Sequence, residues 1–297
     1  MRRYRFRHVD VFTTTPLGGN PAAVFLDAEG LTDAEMQAIA REMNLSETTF
    51  VLPPTARDVA DYRLRIFTPR RELPFAGHPT IGTVAVLTEA GRVRGPVVRQ
   101  ECGAGIVDVA VEETGDARTY WIAMPDAAWT APALTRTECA TLLGCADADV
   151  ADGPPAVVAP GIPWVIVRVR SWQVVRAARP DLARIETVAA RLAATGVTVF
   201  ALDAEDPGCR VRLRSFPPGE GIAEDPVCGS GNGAVAGYIA HEDLLGADAF
   251  TYVAEQGAEI SRAGRVHVRA RRDVEGRWHV SVGGQAVVVV DAELTLG

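Results

Sequence analysis

The second half of this chain repeats the first half, and this repeat constrains the fold more than any other feature of the sequence. Three pairs of stretches match in the same order, about half of the 297 residues apart. A repeat of this length is typical of two similar domains within one chain. The matching pairs are ETTFVL (47–52) with VTVFAL (197–202), YRLRIFTP (62–69) with VRLRSFPP (211–218), and FAGHPTIG (75–82) with VCGSGNGA (227–234).

The repeat predicts a domain boundary near residue 127. We expect an N-terminal domain at 1–127 and a C-terminal domain at 128–285. The sequence leaves open whether the last strand, about residues 286–297, completes the first domain. The segment 124–163 is rich in alanine and proline and has no partner in the first half. It is predicted to hold the linker and one extra helix.

Local patterns predict both helices and strands in each half. Residues 32–44 predict a helix, because a Thr-x-x-Glu capping box precedes an apolar stripe. Alternating apolar and polar residues at 62–69 predict a strand with one polar face. Proline or glycine at the start and glycine at the end predict helices at 79–91 and 231–246. The chain is therefore expected to be α+β.

Charge and hydropathy argue against nucleic acids and membranes as partners. The formal net charge is −8 and the chain has no basic block, so a nucleic acid would be repelled. No apolar run approaches the roughly 20 residues that span a bilayer. The N-terminus alternates apolar and polar residues, unlike a secretory signal. We expect a cytoplasmic protein whose partner is a small molecule.

The absence of lysine removes several kinds of cofactor chemistry. All 30 basic residues are arginine, so the chain lacks the lysine that binds pyridoxal phosphate and the lysine of a Walker A loop. The five cysteines form no CxxC pair. Gly229, Gly231 and Gly233 have the wrong spacing for a dinucleotide fingerprint and follow EDP rather than a strand. We predict neither a cofactor nor a metal.

Two glycine loops, AGHPT (76–80) and CGSGNG (228–233), occupy matching places in the two halves. Each is expected to begin a helix, where unpaired backbone N–H groups and the helix dipole attract an anion. Clefts between domains commonly hold small-molecule sites. We therefore expect the two loops to bind a small carboxylic acid in a cleft between the domains.

Several long motifs resemble those of the PhzF family, named for the phenazine-biosynthesis isomerase. The resemblance runs from residue 8 to the C-terminus. It implies the diaminopimelate-epimerase fold, in which two pseudo-symmetric domains each wrap a mixed, mostly antiparallel sheet around a central helix. It also implies a homodimer that needs no cofactor. The motifs are VDVFTTTPLGGNPAAVF, NLSETTFVL, RIFTPRRELPFAGHPTIG and EDPVCGSGNG.

The resemblance also implies roles for particular residues. The best-understood family member isomerises trans-2,3-dihydro-3-hydroxyanthranilate. By resemblance, Glu47 is the general acid/base that removes a proton from one ring carbon and returns it to another. His78 and Asp225 resemble residues that bind polar groups of the substrate and assist this transfer. The positions that resemble carboxylate-binding loop residues are Gly77, Gly229 and Ser230.

The residue types are compatible with these roles but leave alternatives open. Glu47 lies among apolar and β-branched residues, and burial would let it both accept and donate a proton, although a solvated turn is the alternative. Val197 is its expected repeat partner. A helix start favours neutral His78, which could also merely cap the loop. Asp225 could serve only as a helix N-cap, and Glu224 is expected to be exposed.

Cys228 departs from the family pattern. In the related diaminopimelate epimerases and proline racemases, a cysteine precedes each glycine loop, and the two act as a thiol and thiolate pair. Here the corresponding positions are Ala76 and Cys228, so the two-thiol mechanism is not expected. A cysteine at a helix N-terminus has a depressed pKa and could act as a base. The alternative is a buried cysteine that packs as a small hydrophobe.

Three functions remain open from the sequence. The first is an isomerase that moves a proton within a small carboxylic acid, with Glu47 as its general acid/base and Cys228 among the substrate-binding residues. The second is an amino-acid epimerase, racemase or dehydratase that uses Glu47 together with Cys228. The third is a relative that binds a ligand without catalysing a reaction.

Overall fold

The structure, a computed structural model, describes residues 1–115, 117–131 and 134–297. Within these ranges, helices and strands make up most of the chain, so the expected α+β class is observed. None of the helices in the described ranges combines the length and apolarity needed to cross a membrane.

The chain divides into two compact units. We call Met1–Ile122 together with Gly283–Gly297 the N-terminal unit, and Ala123–Val282 the C-terminal unit. The domains expected from the repeat, 1–127 and 128–285, have boundaries a few residues away. Those domain boundaries stay a prediction.

The strands and helices follow one another in chain order as two sets. The first set is β1 (Arg2–Val11), β2 (Asn20–Phe25), α1 (Asp33–Met43), β3 (Glu47–Leu52), β4 (Tyr62–Phe67), β5 (Glu72–Leu73), α2 (Gly77–Glu89), β6 (Val97–Cys102), β7 (Gly105–Thr114) and β8 (Ala117–Ala123). The second set is β9 (Ala128–Thr130), α3 (Arg136–Leu143), β10 (Ala156–Ala159), β11 (Trp164–Arg168), α4 (Trp172–Ala177), α5 (Leu182–Arg191), β12 (Gly196–Ala201), β13 (Val211–Phe216), α6 (Gly229–His241), β14 (Ala249–Gln256), β15 (Gly264–Arg272), β16 (Trp278–Gly284) and β17 (Ala286–Leu296).

The sheet of the N-terminal unit is mixed and mostly antiparallel. Its strands pair in the order β17–β1–β2–β3–β4–β6–β7–β8. Among these pairs, β2/β3 and β4/β6 are parallel, and each parallel step is connected through a helix, as parallel strands require. The last strand of the chain, β17, pairs with β1 from Arg2 opposite Leu296 to Val11 opposite Ala286.

The helix α2 is the central helix of the N-terminal unit. It is buried continuously from His78 to Leu87, which explains why the sequence here is apolar on every face of the helix. The helix begins at Gly77, two residues before the predicted start, because Ala76 has the extended backbone of an N-cap. A Cβ on Gly82 would lie 2.8 Å from a methyl group of Val11, so glycine lets the helix approach β1 closely.

The helix α1 covers the opposite face of the same sheet. The predicted capping box is confirmed, since Thr32 accepts from the Glu35 N–H and the Glu35 carboxylate accepts from the Thr32 N–H. The apolar stripe of α1 packs against aromatic residues of the strands. This outer cluster contains Met36, Ile39, Ala40, Phe50 and Phe67.

The C-terminal unit repeats the same order of strand pairing. Its strands pair in the order β9–β10–β11–β12–β13–β14–β15, and among these pairs β11/β12 and β13/β14 are parallel. Its central helix α6 is buried over most of its length and begins at Gly229, two residues before the predicted start. The helix α5 buries Ile185 and Ala189 against the outer face of the sheet.

The segment 124–163 is less of a linker than the sequence predicts. It contains the predicted extra helix, α3, but also two strands, β9 and β10, which pair with each other in the sheet. The prediction underestimated these strands because both are short, and short strands carry little periodic signal. Pro132 and Ala133 lie outside the described residues.

The strands β3 and β12 contain the first pair of matching stretches, but the structure aligns them one residue away from the sequence match. β3 places Thr48 opposite Phe67 of β4, whereas β12 places Val197 opposite Phe216 of β13. Because Phe67 and Phe216 are counterparts in the repeat, Val197 corresponds to Thr48. The expected pairing of Glu47 with Val197 is therefore wrong, and the counterpart of Glu47 is Gly196.

The faces of the strands support the corrected alignment. Phe50 belongs to the outer cluster beside α1, whereas Phe200 packs against Tyr238 of the central helix α6. A shift of one residue moves every side chain of a strand to the other face, so the two phenylalanines cannot be counterparts. A Cβ on Gly196 would lie 2.1 Å from the carbonyl oxygen of Phe216, so that position cannot carry a side chain.

Candidate active site

Glu47 stands at the start of β3, on the strand face that points to the central helix α2. Side chains alternate along a strand, and Thr49, on the same face as Glu47, makes a 3.0 Å hydrogen bond to Thr83 of α2. The Glu47 side chain is 12% exposed. The alternative of a solvated turn is therefore not what the structure shows.

His78, in the first turn of α2, is the nearest titratable neighbour of Glu47. Its Nε2 lies 3.1 Å from Oε2 of Glu47, and its side chain is 8% exposed. Within the described part of the chain this nitrogen meets no atom with hydrogen-bond alignment, although the distance is short. In structures without a bound substrate, hydrogen bonds between catalytic groups are often long or poorly aligned, so this geometry does not exclude the role expected for the two residues.

The environment of His78 keeps its imidazole neutral. Burial lowers the pKa of His78 to about 3, against a smaller opposite effect of the Pro21 carbonyl, which accepts a hydrogen bond from the ring. Because Nε2 faces Glu47, the ring nitrogen that donates to Pro21 is Nδ1. The imidazole therefore presents the lone pair of Nε2 to the Glu47 carboxyl group.

Gly77 begins α2 with open space around it. A Cβ at this position would meet no atom of the described residues within 4 Å. The packing of the protein therefore does not require glycine here. Open space beside the free N–H groups of a helix start is a suitable place for an anion to approach the backbone.

In the C-terminal unit, Cys228 is the N-cap of the central helix. Its Sγ accepts a hydrogen bond from the Gly231 N–H at 3.2 Å and lies 3.4 Å from Oγ of Ser230. Burial, followed by the charge of Asp225, raises the pKa of the Cys228 thiol well above its ordinary value. Of the two alternatives that the sequence left open for Cys228, this raised pKa favours the buried cysteine that packs as a small hydrophobe over the base.

Ser230 is held by an indole group. Trp164 Nε1 donates to its Oγ at 3.0 Å, which leaves the hydroxyl hydrogen of Ser230 for an acceptor such as the Cys228 Sγ at 3.4 Å. Trp164 lies opposite Gly196 in the parallel pair β11/β12, as Ala22 lies opposite Glu47 in β2/β3. The indole therefore lies on β11, which is the neighbour of β12, the strand that carries Gly196, the counterpart of Glu47.

Asp225 precedes the second glycine loop and forms a bridge to β13. Its N–H donates to the Ser215 carbonyl at 2.9 Å, and its own carbonyl accepts from Gln256 Nε2 at 2.9 Å. Because Cys228 is the N-cap of α6, the alternative that Asp225 is merely this cap is wrong. The structure brings Asp225, Cys228, Gly229 and Ser230 together on one short loop.

Two buried amides, which the sequence analysis missed, hold this loop in place. Gln256 Oε1 accepts from the Cys228 N–H at 3.0 Å and from Asn232 Nδ2 at 3.3 Å. Asn232 Nδ2 also donates to the Cys228 carbonyl at 2.9 Å. Single buried amides leave no periodic signal, although a glutamine at the end of an apolar strand could have drawn attention to Gln256.

The side chain of Glu224 is largely buried, whereas the sequence predicted that it would be exposed. Its side chain is 10% exposed and forms a bidentate ion pair with Arg214, with distances of 2.9 and 2.7 Å. A charged residue in a loop is usually solvated, and its partner here lies on a neighbouring strand, so the prediction failed for a non-local reason.

A group of potential metal ligands in the described residues lies elsewhere in the C-terminal unit and consists of Asp206, Cys209 and Glu255. Both carboxylates already pair with guanidinium groups, Asp206 with Arg265 at 2.9 Å and Glu255 with Arg212 at 2.7 Å. Burial raises the pKa of Cys209 to about 11, which disfavours the thiolate that a metal needs. The group fits an ion-pair network better than a metal centre.

The fold and the two helix-start loops define a protein of the diaminopimelate-epimerase type. The sequence profile of the PhzC-PhzF family, described as phenazine biosynthesis-like protein, matches residues 9–292. The chain belongs to this family, as the motifs predicted. A solved PhzF-family protein from Bacillus anthracis superposes with a TM-score of 0.92 and 30% identity, covering 100% of both chains. A probable proline racemase from Agrobacterium radiobacter, at 16% identity and a TM-score of 0.63, shares the fold.

Named relatives place the chain among isomerases. The trans-2,3-dihydro-3-hydroxyanthranilate isomerase of Pseudomonas fluorescens is 35% identical over 286 residues, covering 94% of this chain and 95% of that protein. The Schizosaccharomyces pombe protein named antisense-enhancing sequence 1 is 36% identical over 299 residues, covering 99% of both chains. Further relatives are named uncharacterised isomerases. The chain is an enzyme of the isomerase class.

Proposed function

We propose that this protein is a cofactor-independent isomerase that moves a proton within a small carboxylic acid, with Glu47 as the general acid/base. The contact between Glu47 Oε2 and His78 Nε2 at 3.1 Å carries the proposal. A carboxylate and the lone pair of a neutral imidazole repel each other at this distance. One proton shared between them removes the repulsion, and because burial keeps the imidazole neutral, we propose that the carboxyl group of Glu47 is the partner that gives and takes this proton.

The Glu47 carboxyl group is placed to exchange a proton with a bound acid, because it is largely shielded from water and a neutral imidazole lies 3.1 Å away. In the proposed reaction Glu47 takes a proton from one carbon of the bound acid and returns a proton to another carbon, so that the carboxyl group ends in the state in which it began. Proton transfer by such a positioned side chain contributes about 10²- to 10⁴-fold to a reaction rate.

The remaining site residues are proposed to bind the substrate. By family resemblance, Gly77, Gly229 and Ser230 bind the carboxylate, and Asp225 together with His78 binds other polar groups and assists the proton transfer. Cys228 supports this function through packing and its hydrogen bond from Gly231. Its raised pKa disfavours a thiolate, which weighs against the alternative in which Cys228 and Glu47 together epimerise an amino acid.

The test is isomerisation in D₂O of trans-2,3-dihydro-3-hydroxyanthranilate, the substrate named for the Pseudomonas relatives. We expect NMR to show a migrated double bond and deuterium on the carbon that gains the proton. Glu47→Gln should lower the rate by about 10²-fold or more. Glu42→Gln, at an exposed position of α1, is the matched control and should leave the rate within about twofold.

Two outcomes would contradict the proposal. One is a wild-type protein that does not turn over this acid or any related unsaturated or hydroxylated acid. The other is a Glu47→Gln variant with nearly wild-type rate. Loss of optical purity at Cα without double-bond migration would favour the epimerase alternative instead.

The assembly and location of the protein are also proposed from the resemblance. The family suggests a homodimer in the cytoplasm, whose partner is a small carboxylic acid rather than a nucleic acid or a membrane. Sedimentation of the purified protein tests the dimer, and a monomer at micromolar concentration would contradict it.

A further inference from the structure

The same arginine–glutamate pair occurs once in each unit. Arg65 contacts Glu72 through Nε and Nη2 at 2.7 and 2.6 Å, and Arg214 contacts Glu224 through the same two atoms at 2.9 and 2.7 Å. Both pairs are bidentate, which is the strongest and most directional arrangement of these groups. Each glutamate stands at the same distance before the glycine that begins the central helix.

Each pair fixes the entry of the chain into its glycine loop. In each unit, the residue that follows the glutamate pairs with the residue that follows the arginine. Leu73 thus lies opposite Ile66 in the N-terminal unit. Asp225 lies opposite Ser215 in the C-terminal unit. The pair and the bridge together set the direction in which the chain leaves the sheet. Asp225 therefore directly follows Glu224, whose carboxylate accepts two hydrogen bonds from Arg214.

The two pairs differ in burial and in the residue next to each glutamate. The side chains of Arg65 and Glu72 are 22% and 42% exposed, whereas those of Arg214 and Glu224 are 8% and 10% exposed. The residue held beside the buried pair is the polar Asp225, and the one beside the exposed pair is the apolar Leu73.

Arg214 also connects the loop to a second element. Its Nη1 donates to the carbonyl oxygens of Val175 and Ala178, which end the helix α4, at 3.2 and 3.0 Å. The guanidinium group is therefore fixed by two carbonyls and one carboxylate at the same time. A cation at a helix C-terminus is further stabilised by the helix dipole.

We propose that Arg214 and Glu224 are positioning residues, which hold Asp225 and the following loop in the geometry that the substrate requires. This inference rests on the proposed function, because it assigns the pair a role through Asp225. A displacement of about 1 Å at a catalytic or binding group can cost about 10²-fold in rate. The residue beside the exposed pair, Leu73, is not a proposed site residue, and because this pair is more exposed to solvent, its loss is expected to disturb its loop less.

The test compares Glu224→Gln with its matched control, Glu72→Gln. With trans-2,3-dihydro-3-hydroxyanthranilate as the probe substrate, Glu224→Gln should lower kcat/KM by about 10- to 100-fold. Glu72→Gln should lower it by about threefold or less, since exposed ion pairs contribute little. Equal effects of the two variants would overturn the inference.

A double-mutant cycle separates positioning from general stability. If Glu224 acts through Asp225, then Glu224→Gln should cost only about twofold or less in kcat/KM in the Asp225→Asn background. A loss as large as in the wild-type background would show that Glu224 acts independently of Asp225 and would overturn the inference. If Glu224→Gln fails to fold, the double variant Arg214→Met/Glu224→Met replaces it, because an apolar replacement of both members leaves no unpaired buried charge.

Amide hydrogen exchange gives a readout that does not depend on the reaction. Glu224→Gln should speed exchange at Asp225 and Cys228 by about tenfold or more, while the amides of β12 keep wild-type rates. Unchanged exchange at these two amides would contradict the inference even if the activity falls. Conversely, if the wild-type protein shows no turnover, the proposed function fails, and the exchange experiment alone decides whether the pair orders the loop.

Discussion

The two units begin their central helices in the same way but place different chemistry beside the first turn. In the N-terminal unit the second helical residue is His78, and it meets the Glu47 carboxyl group. In the C-terminal unit the second helical residue is Ser230, and it meets the Trp164 indole. One scaffold thus carries a titratable pair in one copy and a pair of fixed hydrogen-bonding groups in the other.

This difference indicates how the duplicated fold divides its functions. A neutral histidine beside a buried carboxyl group is suited to moving a proton. A buried thiol with a raised pKa, an indole N–H and a network of amides are suited to holding polar groups without changing charge. Under the proposed function, proton transfer accordingly belongs to residues of the N-terminal unit, and the C-terminal loop is proposed to bind polar groups of the substrate.

The largest stability difference between the units is expected at two glycines. Gly196→Ala forces a Cβ to within 2.1 Å of a backbone oxygen and should lower the free energy of unfolding by about 3 kcal/mol or more. Gly77→Ala meets open space and should change it by about 0.5 kcal/mol or less, while raising KM if a ligand approaches this backbone. Urea unfolding measures the free energy of unfolding of both variants, and similar losses would contradict the expected difference between the two glycines.

A second difference between the units concerns the pH dependence of stability. The folded-state pKa of His78, about 3, lies below its ordinary value of 6.5, so the unfolded chain binds this proton first. The contribution is therefore intact above pH 6.5 and is lost as the pH falls toward 3. Relative to His78→Gln, the wild-type protein should lose up to about 1.4 kcal/mol per pH unit in this window.

Ser230→Ala is the matched control in the C-terminal unit, because serine does not titrate. Its stability should fall with pH in parallel with the wild-type protein. If His78→Gln also follows the wild-type curve, then His78 is not held neutral by burial.

The smallest expected effect tests a feature that both units share. Thr32 is the N-cap of α1 and Thr135 is the N-cap of α3, and each forms a complete capping box. Thr32→Ala and Thr135→Ala should each lower the free energy of unfolding by about 1 kcal/mol, because capping is local chemistry. Thermal unfolding measures the two losses, and a large difference would show that the units respond unequally even where their contacts match.

Local patterns in the sequence predicted the elements that carry local signals. The capping box of α1, the alternation of β4 and the glycine entries of α2 and α6 each depend on neighbouring residues, and all four elements are observed. The resemblance implied roles for Glu47 and His78, whereas their 3.1 Å contact is visible only in the structure, because they lie on different elements.

The failures are non-local in origin. Matching Phe50 with Phe200 aligned β3 and β12 wrongly by one residue. The face to which each side chain points depends on the pairing with neighbouring strands, which the sequence match does not contain. Glu224 was expected in solvent because Arg214 approaches it from another strand. For Cys228 the sequence left a base and a buried thiol open, and only the tertiary structure shows the burial that favours the second alternative.

The central claim, that proton transfer belongs to Glu47, is tested most directly by comparing one substitution from each unit in the same deuterium-incorporation assay. Glu47→Gln should slow incorporation by about 10²-fold or more, whereas Cys228→Ser should slow it by about tenfold or less. Equal losses, or a larger loss at Cys228, would contradict this claim and show that the thiol shares the chemistry.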